Sequence, residues 1–149
     1  MNHQTPPRMR LLLVDPEHDY FAQMMFLLDE IAPRRFVLEW ASTYAFAVGM
    51  LRRQQFDLCF VNVRMGHRNG TDLLLDMQAL GRTAPVILLA RGEDLAEPGS
   101  GRAVDQLDRN RLSTEILRRA LRDVGLRPAS LTPLAIPVVP TAQAVPVPV

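Results

Sequence analysis

Lysine is missing from this sequence: all 17 basic side chains in its 149 residues are arginine. No amine is therefore available for chemistry that needs a compact ammonium or a Schiff base, and any basic site must work through the planar, permanently charged guanidinium. Cysteine is almost missing too. Cys59 stands alone inside the apolar run FDLCFV and reads as a small buried hydrophobe, not as a nucleophile or ligand. Net charge is only +1, with both signs mixed along the chain, so there is no basic footprint for nucleic acid and DNA binding is not expected. Long hydrophobic runs are also lacking. The start, MNHQTPPRMRLLLVD, offers too few apolar residues before Asp15 for a signal-peptide core, and no other stretch is long and proline-free enough to span a bilayer. A cytoplasmic protein with no membrane partner is expected. Gly-rich phosphate loops and nucleophile elbows are absent, and His3, His18 and His67 do not have metal-site spacing. The expectation is a binding protein that is not an enzyme and carries neither metal nor cofactor.

What is present alternates. RLLLV (10–14), FVLEW (36–40), DLCFVN (57–62), PVILLA (85–90) and AVDQL (103–107) are short apolar runs, separated by the amphipathic stretches PEHDYFAQMMFLLDEI, STYAFAVGMLRRQQ, GTDLLLDMQALG and, last, STEILRRALRDV. Apolar runs without alternation suit strands covered on both faces, as in a parallel sheet. Strand and helix in strict alternation imply an α/β doubly wound fold. Ser42 and Thr43 are placed to cap the second helix, Thr71 and Asp72 to start the third, and Ser113 with Thr114 to open the last. The predicted organisation is a flexible arm over 1–8, one domain over 9–126, and a tail over 127–149. That tail, RPASLTPLAIPVVPTAQAVPVPV, has no charge after Arg127 and six prolines, which excludes regular helix and disfavours a central strand. It reads either as a disordered, polyproline-like extension or as an apolar segment that docks through Leu134, Ile136, Val138 and Val139 on the parent domain or on a partner.

In an open parallel sheet, ligands bind beyond the carboxyl ends of the strands. Those ends carry Asp15-Pro16-Glu17, Asn62-Val63-Arg64, Ala90-Arg91-Gly92 and Asp108-Arg109-Asn110. LLLVD, FDLCFVNVRMGHRNGTDLL, APVILLA and AVDQLDRN fall in the order and spacing of the response-regulator receiver domain, and residues 9 to 125 resemble that family, the third-strand segment most specifically. The resemblance implies a five-stranded sheet in the order 2-1-3-4-5, a metal held by acids after strand one and by a phospho-acceptor aspartate after strand three, and a hydroxyl residue and a lysine gripping the phosphoryl group. Carried over position by position, Asp15 matches the first acid, Pro16 replaces the second, Asn62 stands for the acceptor, Ala90 for the hydroxyl residue and Arg109 for the lysine. A degenerate receiver that is not phosphorylated is the expectation, with Arg109 free to pair with Asp15 in place of metal and phosphate. RGEDLAEPGSGR, between strands four and five, is shorter than the family's usual segment and has Pro98-Gly99-Ser100-Gly101 where a fourth helix would run, so that helix is expected to be shortened or lost.

The remaining features concern partners. The first and last helices have wide apolar arcs, with Phe26 among the polar positions of the first and Arg118, Arg119 and Arg122 opposite the arc of the last. Such arcs either simply cover the sheet or offer a contact surface built from Phe21, Met25, Phe26, Leu117 and Leu121, for a histidine kinase, a phosphotransfer protein or a second copy. Arg64 and Arg68, at RxxxR spacing after strand three, suggest a small-ligand alternative in which two guanidiniums fork onto a cyclic dinucleotide.

Overall fold

The structure, a computed structural model, describes residues 8–95 and 105–125. Strands β1 (Met9–Val14), β2 (Phe36–Ala41) and β3 (Leu58–Asn62) alternate with helices α1 (His18–Ile31) and α2 (Tyr44–Arg53). A two-stranded ribbon, β4 (Arg64–Met65) and β5 (Arg68–Asn69), then leads into α3 (Asp72–Ala79), followed by β6 (Val86–Ala90), β7 (Asp105–Asp108) and α4 (Thr114–Asp123). The main sheet is parallel throughout, with β2 and β7 at its edges and the order β2-β1-β3-β6-β7. With the ribbon set aside, this is the 2-1-3-4-5 order expected from the sequence.

Successive side chains of a strand point to opposite faces of the sheet, and the core divides accordingly. Leu11, Leu13, Leu58, Phe60, Ile87 and Leu89 pack on one face with Met24, Leu28 and Ile31 of α1 and Leu117, Ala120 and Leu121 of α4. Leu12, Val14, Cys59, Val61 and Leu88 pack on the other with Ala47 and Leu51 of α2 and Leu73 and Met77 of α3. Both faces are covered, which explains why β1, β3 and β6 are continuous apolar runs with no alternation. Thr43 caps α2, its hydroxyl accepting from the Phe46 amide at 3.1 Å, and Ser113 caps α4 by accepting from Ile116 at 3.2 Å.

Four α-helices lie among the described residues. Between β6 and β7 those residues form one 3-10 turn, Gly92–Asp94. The proline- and glycine-rich stretch in that connection falls within 96–104, outside the described residues, as do residues 1–7 of the arm predicted over 1–8 and the whole predicted tail. The β4–β5 ribbon was not expected. It ends at Asn69, whose side-chain oxygen accepts from the Thr71 amide at 3.0 Å, and is followed by Gly70, whose amide donates to Val63 O at 2.8 Å. Gly70 runs so close to β3 that a Cβ there would lie 2.0 Å from the Asn62 carbonyl oxygen, so no other residue fits.

Candidate functional site

All five parallel strands deliver their carboxyl ends to one rim, and the turns that leave β1, β3 and β7 place Asp15, Asn62 and Arg109 against one another there. Asp15 has no solvent exposure, and Asn62 and Arg109 are also buried. Arg109 lies in a 3-10 turn, Arg109–Arg111, started by Asp108, whose side chain accepts from the Asn110 amide at 3.0 Å. From that turn the guanidinium reaches back over the sheet and forks onto Asp15: Nε donates to Oδ2 and Nη2 to Oδ1, each at 2.8 Å. Nη2 also donates to Glu17 Oε1 at 2.7 Å. The flat face of the guanidinium lies 4.1 Å from the centre of the Tyr20 ring, a cation–π contact from the first turn of α1. The hydrogen bonds that Arg109 donates to Asp15 are the main reason its pKa is raised above the ordinary value.

A carboxylate has two oxygens with about four acceptor directions in all, and Asp15 uses them fully. Oδ1 accepts from the Glu17 amide at 2.9 Å as well as from Arg109, and Oδ2 accepts from Asn62 Nδ2 at 3.0 Å as well as from Arg109. Its backbone carbonyl accepts from Trp40 Nε1 at 2.7 Å. Asn62 is equally committed, because its Oδ1 accepts from the Arg64 amide at 2.9 Å. These partners decide the orientation of the amide: a carboxylate only accepts, so the nitrogen must face Asp15 and the oxygen must face the Arg64 N–H. They also show why an amide suits the end of β3. A carboxylate at position 62 would set anion against anion where a donor now stands.

A cleft of about 290 Å³ lies above this network, lined by Pro16, Glu17, Asn62, Arg64, Arg91, Glu93, Asp94 and Arg109. Ala90, buried at the end of β6, brings no polar atom to it. Arg64 is held at the mouth by a bidentate pair with Asp94, at 2.7 and 2.8 Å. Among the described residues, no three His, Cys, Asp or Glu side chains converge where a metal would sit.

Two sequence expectations change here. Arg64 and Arg68 do not share a site. Arg64 pairs with Asn69 across the β4–β5 ribbon and Arg68 with Met65, so alternation sends the two arginines to opposite faces. Arg68 instead lies 3.9 Å above the Tyr44 ring, beside α2, where the Tyr44 hydroxyl donates to Asp76. Leu117 and Leu121 are fully buried, because the apolar arc of α4 is spent against the sheet and α1; they form no part of an outer surface. Of the other three residues, Phe21 is half-buried and stacks on Trp40 at 5.5 Å, while Met25 and Phe26 are 47% and 63% exposed. Sequence reading missed Tyr20, Trp40 and Asp94 as parts of the site, since the partners of Trp40 and Asp94 are 25 and 30 residues away and no local pattern links them.

The model of the response regulator receiver domain matches residues 11–106. The chain belongs to this family. It is similar to the alginate biosynthesis transcriptional regulatory protein AlgB of Pseudomonas aeruginosa, 32% identical over 80 residues, which is 54% of this chain and only 17% of that protein. Among solved structures it is similar to a CheY-like receiver domain from Methylobacillus flagellatus, with a TM-score of 0.68, 15% identity, and coverage of 78% of this chain and 98% of that one. It is also similar to the receiver domain of a sensor histidine kinase from Pseudomonas aeruginosa, which has a magnesium ion in its active-site cleft; the TM-score is 0.66 at 18% identity, covering 79% of this chain and 98% of the other. At such identities the shared feature is the CheY-like, flavodoxin-type fold. No helix among the described residues of this receiver is long and apolar enough to cross a membrane.

Proposed function

We propose that this chain is a pseudo-receiver, a two-component signalling protein that works by binding a protein partner and does not respond to aspartyl phosphorylation. The observation that carries this reading is the fork of Arg109 on Asp15, completed by Asn62. Phosphoryl transfer to a carboxyl group needs an anionic oxygen as nucleophile. The amide oxygen of Asn62 carries little charge and already accepts a hydrogen bond, and its nitrogen lone pair is delocalised.

The residues present do not fit the magnesium that receivers hold. A hard divalent cation asks for several charged oxygens in octahedral array. Here the one buried carboxylate of the site has every acceptor direction filled, Glu17 is tied to the same guanidinium, Asn62 turns a nitrogen inward, and position 16 is proline. A cation would have to displace a buried, bidentate arginine, a costly exchange. Ala90 offers no hydroxyl to reward a phosphorylated state. The guanidinium thus takes the place of both cation and phosphate, and a phosphodonor has no differential interaction through which to shift the protein between states.

The surface that supports partner binding is α1. Met25 and Phe26 project side by side into solvent, which is where apolar side chains give contact energy to a histidine kinase, a phosphotransfer protein or another signalling protein. Amide NMR spectra recorded with and without acetyl phosphate and magnesium test the central part of the reading. The expected result is superimposable spectra; shifts centred on Asp15, Asn62 and Ala90 would overturn it.

A further inference from the structure

Beside the exposed stripe of α1, an apolar groove of about 450 Å³ runs along the open edge of the sheet. One wall is Ala22, Met25, Phe26 and Asp29, residues spaced on one face of α1; the floor and far wall include Ala32, Arg34, Phe36 and Leu38. β2 is an edge strand, so nothing among the described residues covers this side. Two aromatic rings, Phe26 and Phe36, face a groove with one carboxylate and one guanidinium at its rim.

The sequence contains a segment whose chemistry matches. Residues 128–149 are uncharged and rich in proline and aliphatic side chains, a composition that water does not favour. Proline-rich segments prefer the polyproline II helix with three residues per turn. That repeat would put Leu131, Leu134, Pro137 and Pro140 on a single ridge, which Gln143 ends. Such ridges seat in aromatic-lined grooves at low entropic cost, and prolines, which lack an N–H, favour this mode over pairing with the backbone edge of β2. The chain leaves α4 at the correct end. In a parallel α/β fold both α1 and α4 run back from the strand carboxyl ends, so the last turns of the two helices lie at the same end of the sheet. Val124 packs on the cluster containing Ile31 and Ala32. Ala32 also lines the groove. Residues 126–133 span up to roughly 28 Å when extended, ample to cross beneath one helix about 10 Å wide.

We propose that residues 134–140 dock in the groove formed by α1 and β2 of the same molecule, covering Met25 and Phe26.

Paramagnetic relaxation on the full-length chain tests this. A spin label on Ala142→Cys is selective, because Cys59 is buried and its thiol is pushed up to about 12 by desolvation. The expected result is loss of the amide signals of Ala22, Met25, Phe26 and Ala32 with those of α3 intact, and recovery of the lost signals when Phe26→Asp is added. A mixture of isotope-labelled chain and spin-labelled, unenriched chain should show no loss. Signals that stay intact or broaden evenly in the single sample would refute docking, and loss in the mixture would assign the groove to a second copy. A phosphoryl adduct on the protein would remove the pseudo-receiver reading yet leave this relaxation pattern unchanged, so the two ideas fail separately.

Discussion

The Asp15 carboxylate is the most deeply enclosed charge among the described residues of this receiver. Completely buried, it has its hydrogen-bonding capacity satisfied from every side by Arg109, Asn62 and the Glu17 amide. Removing one partner of such a pair strands the other charge. Arg109→Ala should therefore lower stability by about 3–5 kcal/mol in urea denaturation; a loss below about 1 kcal/mol would mean that the fork is a surface-grade ion pair. Asn62→Asp should be destabilising for a different reason, since it sets a second carboxylate against Asp15 Oδ2 in place of a donor. Repulsion raises the folded-state pKa of the new carboxyl group above its unfolded value. Between those two values the folded state then holds the extra proton, so the variant's stability falls as pH rises through the window. Paired denaturation curves should show a larger deficit against wild type near neutral pH than in the acid range, and a pH-independent deficit would contradict this. The same variant should remain unlabelled by acetyl phosphate, because Pro16 and Ala90 are unchanged.

Helices and turns carry the next set of consequences. Leu117 on α4 is fully buried, whereas Phe26 on α1 is 63% exposed. Leu117→Ala should cost about 2–5 kcal/mol and Phe26→Ala about 0.5 kcal/mol or less, by thermal or urea unfolding. Comparable losses would show that one of the two placements is wrong. Gly70→Ala should cost about 3 kcal/mol, near the top of the usual overpacking range, because its new methyl would meet the Asn62 carbonyl, which is fixed in β3; a variant as stable as wild type would refute the close approach. The capping residues Thr43 and Ser113 were legible in the sequence, as a hydroxyl just before an amphipathic run is a local signal. The assignment of Leu117 and Leu121 to an outer surface failed because a helical wheel reports how wide an apolar arc is and not what covers it. The ribbon at 64–69 was illegible for a related reason. With two residues to each strand it has no periodicity to detect, and its formation sends Arg64 and Arg68 apart.

Across the molecule, the layering could be read from the sequence because each central strand is apolar on both faces, a pattern that few architectures other than a helix-covered parallel sheet satisfy, whereas the strand order came from the resemblance to receivers. The position of the site at the strand ends followed from that topology, and the pairing of Arg109 with Asp15 followed from their positions at the ends of β7 and β1. What was hidden was the closure of the network. Tyr20 under the guanidinium, Trp40 on the Asp15 carbonyl and Asp94 on Arg64 are contacts set by tertiary distance alone. Together they close a buried polar network at the strand ends of the receiver fold, the feature on which the proposed pseudo-receiver function rests. The most direct measurement is the intact mass of the purified protein after incubation with acetyl phosphate and magnesium. An unchanged mass is predicted, and a stoichiometric phosphoryl adduct would contradict the account.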